Sequence, residues 1–306
     1  MPSCLERLNL GVVVCMCVAL LGMSCALQTD PTKVLLVASR DHAPSAGPNG
    51  VSYVFTHYDA EPGDTLSPSG VYVVDSTGAR ARLLAPGALM DPEWGRGDSV
   101  LAWGWNEGVV LLSTSSGVVI PLGIAGGQCP SWSPSGDSLV FNTAGGDSIA
   151  YPRLALASVH DGGVRFIPHT DGGAWLQPNW SPDGRSIAFV KYVAGALGGE
   201  IVIHELSTGT QARITNNDLE DYYPAWSPDG ASLVWSRVHP GGAEDIWVWS
   251  LSDRMERQVT LGHRPRWCPD GRALLFERRD DKGGAHLYKR ELASGLESRL
   301  TGAVPD

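Results

Sequence analysis

The sequence lacks the residue patterns that would assign it to several common functional classes. Its formal net charge is −10, and Lys and Arg form no cluster. Nucleic acid is therefore not expected as a partner, because binding a phosphate backbone requires such cations. The eight histidines and six cysteines show neither His-x-x-x-His nor Cys-x-x-Cys spacing, and no Gly-x-Ser-x-Gly motif occurs. We predict no catalytic residue, no metal site and no cofactor.

A short apolar run near the start of the chain indicates export. It extends from about Leu10 to Met23, about 14 residues, which is too short to cross a hydrocarbon core but typical of a secretory signal. Cys25 follows small residues, as in a bacterial lipoprotein signal whose cysteine receives lipid. We predict that residues 1–25 are a signal peptide of the lipoprotein type, with lipid on Cys25. Cleavage after Ser24-Cys25-Ala26 with plain secretion, and an uncleaved anchor, are the alternatives.

One motif recurs along the rest of the chain. Its clearest copies start at tryptophans 132, 180, 226 and 267, as in Trp180-Ser181-Pro182-Asp183-Gly184, and a proline precedes each Trp by two residues. An aromatic residue follows each Trp by nine positions. A fifth copy surrounds Trp94, and a sixth runs from Pro44 to Phe55 with Ala46 in place of the Trp. Since Pro and Asp-Gly favour a tight turn, each copy predicts a strand, a turn and a second strand.

A second hairpin follows each copy of the motif. Residues 201–215, 246–260 and 287–301 align without a gap, and looser versions follow the three earlier copies. Two hairpins in each repeat predict a four-stranded antiparallel blade. The repeat prolines are separated by 48, 38, 48, 46 and 41 residues. The sequence therefore predicts an all-β, six-bladed β-propeller over residues 44–301, with a tail at 302–306.

The Pro-x-Trp-Ser-Pro-Asp-Gly run with its downstream aromatic resembles the repeat of TolB-type β-propellers. The resemblance covers about residues 44–301. In TolB a separate domain precedes the propeller, whereas only residues 26–43 lie between the predicted signal and Pro44, so the resemblance extends to the propeller alone. Within that segment, residues 33–39 (KVLLVAS) predict one further strand that would help to close the ring.

The two ends of the propeller are expected to differ. The Ser-Pro-Asp-Gly turns and the turns between third and fourth strands lie at one end, which we call the turn face. The connections from second to third strand and from blade to blade lie at the other end, the loop face. Long connections on a rigid scaffold are where binding residues concentrate, so we place the binding site on the loop face.

One loop-face segment combines carboxylates with tyrosines and is the predicted binding site. Its candidate residues are Asp218, Glu220, Asp221, Tyr222 and Tyr223. Acidic groups beside tyrosines favour a protein or peptide partner of basic character. The alternative is a solvated loop that ends in a packing tyrosine. Cys129 and Cys268 fall in the third and sixth blades, opposite each other, so no disulfide is expected between them.

Together these observations favour a binding protein over an enzyme. We predict a monomeric, lipid-anchored propeller of the periplasm or cell envelope that serves as a scaffold for an envelope protein partner. The alternative is a propeller enzyme, such as a channel-site lyase or hydrolase, or a small-ligand or glycan-binding protein that uses the central channel. In that case His57, His160, His169, His239 or His286 would meet at one face.

Overall fold

The computed structural model describes residues 40–58, 69–76, 81–104, 106–144, 151–169, 172–193, 198–279 and 284–301. All of them belong to the compact unit Val37–Asp306. The predicted signal peptide with Cys25, the predicted strand at residues 33–39 and the tail at 302–306 lie outside the described residues. Among the residues described, no helix is long and apolar enough to cross a membrane.

The described chain forms 24 strands in six antiparallel blades of four consecutive strands, which confirms the predicted fold. The first blade contains β1 (Arg40–Ala46), β2 (Ser52–Tyr58), β3 (Gly70–Asp75) and β4 (Arg82–Pro86). The second contains β5 (Met90–Trp94), β6 (Ser99–Gly104), β7 (Gly108–Ser113) and β8 (Val119–Ile124). The third contains β9 (Gly127–Trp132), β10 (Ser138–Thr143), β11 (Leu154–Ser158) and β12 (Val164–Phe166).

The remaining three blades repeat the same order, with the first strand innermost. The fourth contains β13 (Gly173–Trp180), β14 (Ser186–Val193), β15 (Glu200–Glu205) and β16 (Gln211–Arg213). The fifth contains β17 (Glu220–Trp226), β18 (Ser232–Val238), β19 (Glu244–Ser250) and β20 (Glu256–Leu261). The sixth contains β21 (His263–Trp267), β22 (Ala273–Arg279), β23 (Ala285–Glu291) and β24 (Glu297–Arg299).

Six hydrophobic clusters, one at each interface between neighbouring blades, hold the ring together. The cluster that joins the sixth blade to the first contains Leu275 and Leu287 from one side and Tyr53 and Phe55 from the other. Each motif aromatic is buried in such a cluster. These aromatics are Phe55, Trp103, Phe141, Phe189, Trp235 and Phe276. The spacing of nine residues after the Trp thus places a large ring in five of the six interfaces, with Trp103 and Phe141 sharing the one between the second and third blades. Burial of this apolar surface stabilises the fold.

Every innermost strand is interrupted by a β-bulge just before the repeat proline. The residue before the proline has a left-handed backbone in all six blades, although none of these residues is glycine. They are Ala43 (φ 53°), Asp91 (φ 46°), Cys129 (φ 48°), Gln177 (φ 53°), Tyr223 (φ 55°) and Arg264 (φ 49°). The residue before a proline is sterically kept out of the right-handed helical region, and such strained positions persist only where their surroundings enforce them. We call these six residues the waist ring.

Within the described residues, the ring closes without a shared strand. Strand β24 pairs with β23, so the sixth blade is completed by its own sequence. The first and sixth sheets touch through a single pair, Arg40 with Ala285. Side-chain packing therefore provides most of the contact between the first and sixth blades.

Candidate functional site at the loop face

The motif turns are as tight as the sequence predicts. The N–H of Gly184 donates to the carbonyl of Ser181 at 3.0 Å, and that of Gly230 donates to Ser227 at 2.9 Å. On the opposite face, much of the length of the connections after β2, β10, β14 and β22 lies outside the described residues. The site is therefore built from the strand ends and the connections that are described.

The waist ring closes the central channel with side chains. Arg264 Nη1 lies 2.7 Å from Asp91 Oδ1, and the Arg264 guanidinium lies 4.4 Å from the centre of the Tyr223 ring. Asp91 also accepts a hydrogen bond of 2.8 Å from the indole of Trp103. The void beside these residues measures about 10 Å³, on the order of one water molecule, and Cys129 lines it. The waist of the channel is thus filled by the protein itself.

The predicted binding segment is largely the start of strand β17, and Asp221 is in the interior. Its side chain is 0% exposed and forms an ion pair with Arg237, with 2.7 Å between Oδ1 and Nε. The indole of Trp235 donates to the same carboxylate at 3.1 Å. Burial alone would lower the pKa of Arg237, but Asp221 and Glu256 outweigh it and raise that pKa. Asp221 is therefore paired within the blade and turned away from any partner.

The two tyrosines of the predicted binding site are mostly enclosed. Tyr223 belongs to the waist ring and is 6% exposed. Tyr222 packs against it with 5.1 Å between the ring centres, and its hydroxyl donates to Glu244 at 2.6 Å. Burial, together with the Glu244 carboxylate, raises the pKa of Tyr222 well above its usual value. A partner could reach the edge of Tyr222, whereas Tyr223 is covered by Arg264.

Asp218 and Glu220 remain at the surface end of the segment. Asp218 is exposed, and Glu220 is half-buried. Glu220 accepts hydrogen bonds from the hydroxyl of Tyr192 and from the N–H of Gly199, the latter at 3.3 Å. Burial raises the pKa of Glu220, and the neighbouring carboxylates of Asp221 and Glu200 add to the effect. Among the described residues, Glu220 has no cationic partner.

A second carboxylate stands beside Glu220 on the same blade. Glu220 pairs with Val238 in the sheet, and Val238 pairs with Glu244 on the next strand. Each of the two glutamates accepts a hydrogen bond from a tyrosine hydroxyl. We call Asp218, Glu220, Tyr222 and Glu244 the acidic rim.

The sequence did not reveal the charged cluster that lies beside this rim. Glu277 is buried, and its Oε2 lies 2.8 Å from His42 Nδ1 and 3.1 Å from His263 Nε2. His263 Nδ1 is in turn 3.5 Å from the Glu244 carboxylate. One feature of the sequence could have indicated part of this cluster: His42 and His263 both stand two residues before a repeat proline.

The five histidines considered for a channel site have separate surroundings. His57 pairs with Asp41 at 2.7 Å, His239 pairs with Asp245 at 3.0 Å, and His169 packs edge-on against Trp175. His160 is exposed, and His286 is buried on β23. In the part of the chain that the structure describes, no group of three or more His, Cys, Asp or Glu side chains could hold a metal ion.

Cys129 and Cys268 are not joined by a disulfide, in agreement with the sequence prediction. Cys129 belongs to the waist ring, with its Sγ 3.5 Å from Asp91. Cys268 takes the place of the motif serine after Trp267 and is 3% exposed. Burial raises the pKa of the Cys268 thiol to about 12.

The fold and the closed waist define the class of this protein, a six-bladed β-propeller with sequential four-stranded blades. Comparison with known proteins identifies the repeat. A family described as the TolB beta propeller domain matches residues 153–303. The chain is 31% identical over 140 residues to an uncharacterized protein of Agrobacterium fabrum, covering 44% of this chain and 43% of that protein. It is 32% identical over 110 residues to the Tol-Pal system protein TolB of Gluconobacter oxydans, covering 35% of this chain and 23% of TolB.

Solved structures show the same fold over more of the chain. TolB from Acinetobacter baumannii superimposes with a TM-score of 0.68 at 14% identity, covering 88% of this chain and 65% of that one. An oligogalacturonate lyase in complex with manganese gives a TM-score of 0.58 at 14% identity, covering 86% and 77%. The repeats at residues 153–303 match those of the TolB beta propeller domain family. The matched regions span less than half the length of the two curated relatives.

Proposed function

We propose that this protein is an exported, lipid-anchored envelope propeller that binds a protein partner through the acidic rim of its loop face. The observation that carries the proposal is Glu220, a half-buried carboxylate that has no cationic partner among the described residues. A partially desolvated carboxylate costs stability unless it is paired, and a lysine or arginine side chain of a partner would supply the missing charge.

The surroundings of the rim favour a protein partner of basic character. Asp218 is exposed two residues before Glu220, and the half-buried Tyr222 ring, whose hydroxyl donates to Glu244, offers an aromatic edge. Tyrosine with complementary charge is the combination that protein interfaces use. The Tol-Pal system named in the relative TolB is one setting for such a partner, and that assignment belongs to this proposal alone.

The role of the acidic rim can be tested with two variants, one that removes two carboxylates from the rim and a matched control that removes two from the turn face. The double variant Asp218→Asn with Glu220→Gln removes two charges from the rim, and Asp183→Asn with Asp229→Asn removes two from the turns. After chemical crosslinking in intact cells, we expect the rim variant to lose at least about tenfold in recovered partner, about 1.4 kcal/mol, and the turn variant to match the unmodified chain. Equal recovery from both variants would remove the rim from the site.

Export and lipidation require a separate test. Replacing Cys25 by Ser removes the predicted lipid attachment site while leaving a small polar side chain. We expect the unmodified chain to fractionate with membranes and the variant to be released or to remain unprocessed. A cleaved, soluble product from the unmodified chain would argue for plain secretion.

The filled waist supports binding at the rim in preference to catalysis in the channel. Arg264, Asp91 and Tyr223 occupy the position that a channel substrate would need. Both channel-side histidines, His42 and His263, contact Glu277, which engages them in a buried ion cluster. Turnover of any member of a glycan or peptide panel by the purified protein would favour the enzyme alternative.

A further inference from the structure

One position of the repeat, directly after the buried aromatic of the second strand, links several blades to the next. At three interfaces the side chain at this position accepts a hydrogen bond from the backbone N–H of the waist-ring residue in the following blade. The donor and acceptor pairs are Gln177 to Asn142 (3.1 Å), Arg264 to Ser236 (2.9 Å) and Ala43 to Glu277 (2.5 Å). Because a waist-ring N–H lies in a bulge, the sheet does not supply its partner, and this side chain does.

Only one of the six blades has an ionisable group at this position. The six residues are Thr56, Gly104, Asn142, Val190, Ser236 and Glu277. Glu277 is the last of them, and it stands where the sixth blade meets the first. This interface is also the one where the chain's two ends must be brought together.

Glu277 bridges the two blades within a cluster of charged side chains. Its carboxylate is 0% exposed and contacts His42 on β1 and His263 on its own blade, while Arg264 Nε lies 3.7 Å away. Among the described residues, the other charged or titratable groups facing this cluster are Tyr58 on β2, Glu244 on β19, Tyr222 on β17, Asp91 on β5 and Arg279 on β22.

The same interface also has an apolar part. Tyr53, Phe55, Cys268 and Ala273 pack in it, and Leu287, which pairs with Glu277 in the sheet, extends it to the level of Glu277. The interface is therefore held by hydrophobic contact along the blades and by charge beside the innermost strands β1 and β21. Loss of the charged contacts would loosen the innermost strands while the hydrophobic contacts stayed packed.

We propose that Glu277, His42 and His263 form a clasp that holds the innermost strands of the first and sixth blades together at neutral pH and loosens them in acid. Among the described residues, the first and sixth blades share no strand, and the clasp connects them instead. Its release widens the channel mouth next to the acidic rim.

The direction of the pH effect follows from two pKa changes. Burial alone would raise the pKa of Glu277, but His263, His42 and Arg264 outweigh it and hold that pKa below its usual range. This carboxylate stabilises the folded state above about pH 4.3 and loses that contribution as the pH falls further. Burial lowers the pKa of His263, so its contribution is lost as the pH falls below about 6.5. Acid therefore weakens the clasp through both groups.

Hydrogen exchange of single amides tests the clasp in the unmodified protein. The Ala43 amide reports on this interface, and the Gln177 amide, which donates to the neutral Asn142, is the matched control. After correction for intrinsic exchange rates, we expect protection of Ala43 to fall at least about tenfold more than that of Gln177 between pH 7.5 and pH 4.0, the factor given by one pKa unit. Parallel changes at the two amides would overturn the proposal.

Two variants assign the effect to the charged groups. Glu277→Gln keeps an acceptor for Ala43 and removes the charge, and His263→Gln keeps a polar side chain that does not titrate. We expect His263→Gln to reduce the selective loss at Ala43 to less than about threefold, because it removes the histidine and one of the charges that lower the pKa of Glu277. Glu277→Gln alone also removes the charge that raises the pKa of His263, so the acid response of the histidine remains, and only the double variant should abolish the selective loss. An undiminished acid response in His263→Gln or in the double variant would contradict the clasp. If Glu277→Gln does not fold, His263→Gln and the unmodified protein still decide the question.

Discussion

Arg264 and Asp91 form an ion pair across the channel, with 2.7 Å between Nη1 and Oδ1, although they belong to blades that are not neighbours. Arg264 lies on the first strand of the sixth blade and Asp91 on that of the second, with the whole first blade between them in the ring. Each side chain starts from a left-handed residue, so the bulge in each strand directs it inward. The pair therefore fastens the ring from the inside.

This pair should contribute measurably to stability. Replacing Asp91 by Ala leaves Arg264 without its partner and the Trp103 indole without its acceptor. We expect a loss of about 1–3 kcal/mol in the free energy of unfolding, measured with denaturant. Asp91→Asn retains an acceptor for Trp103 and should cost less. An alanine variant as stable as the unmodified protein would contradict a fastening role.

Substitutions at Asp221 and Asp218 should differ in their effect on stability, because Asp221 is buried and paired whereas Asp218 is exposed. Asp221→Ala leaves the buried Arg237 guanidinium without its main partner, so we expect a loss of about 3–5 kcal/mol in the free energy of unfolding. Asp218→Ala changes an exposed side chain and should stay within about 0.5 kcal/mol of the unmodified protein. Similar losses for both would mean that Asp221 is not paired as described.

Glu220 should carry a stability cost that depends on pH. Its pKa is raised in the folded protein, so its contribution is present in acid and is lost as the pH rises through the folded pKa. Glu220→Gln avoids that loss. We expect the variant to become increasingly more stable than the unmodified protein as the pH rises from 4 to 7, as measured by chemical denaturation. A constant difference over this range would argue against a raised pKa.

The two propeller cysteines should differ in reactivity. Because burial raises the pKa of Cys268 to about 12, its reactive thiolate is scarce at pH 8. Cys129 is partly exposed at the waist. We expect iodoacetamide to modify Cys129 at least about tenfold faster than Cys268 in the folded protein, with each site resolved by peptide mass spectrometry. The difference should disappear in denaturant, and equal rates in the folded protein would contradict the burial of Cys268.

The blades were predictable because their signals are local and repeated. Trp180 and Phe189 stand at a fixed spacing around one turn, and the same spacing recurs in each copy. Each copy therefore predicts its own hairpin, and the number of copies predicts the number of blades. Even the copy with Ala46 in place of the Trp forms a complete blade, because its proline, its turn and Phe55 are retained.

The site was less predictable because its contacts join distant positions of the repeat. The pairing of Arg264 with Asp91 and of Glu277 with His42 depends on how the ring closes, which no single repeat encodes. Asp221 was assigned to a loop because the motif begins at Pro224, whereas the strand already begins at Glu220. The alternation of a strand then turns Asp221 inward.

Site-specific photocrosslinking tests the central claim, that the loop face is the binding face, most directly. A benzophenone amino acid is placed at Asp218 on the acidic rim or, in a matched chain, at Pro228 on an exposed turn of the same blade. On irradiation of cells that express the protein, the account predicts a discrete adduct from position 218 and none from position 228. Adducts from position 228 alone would contradict it.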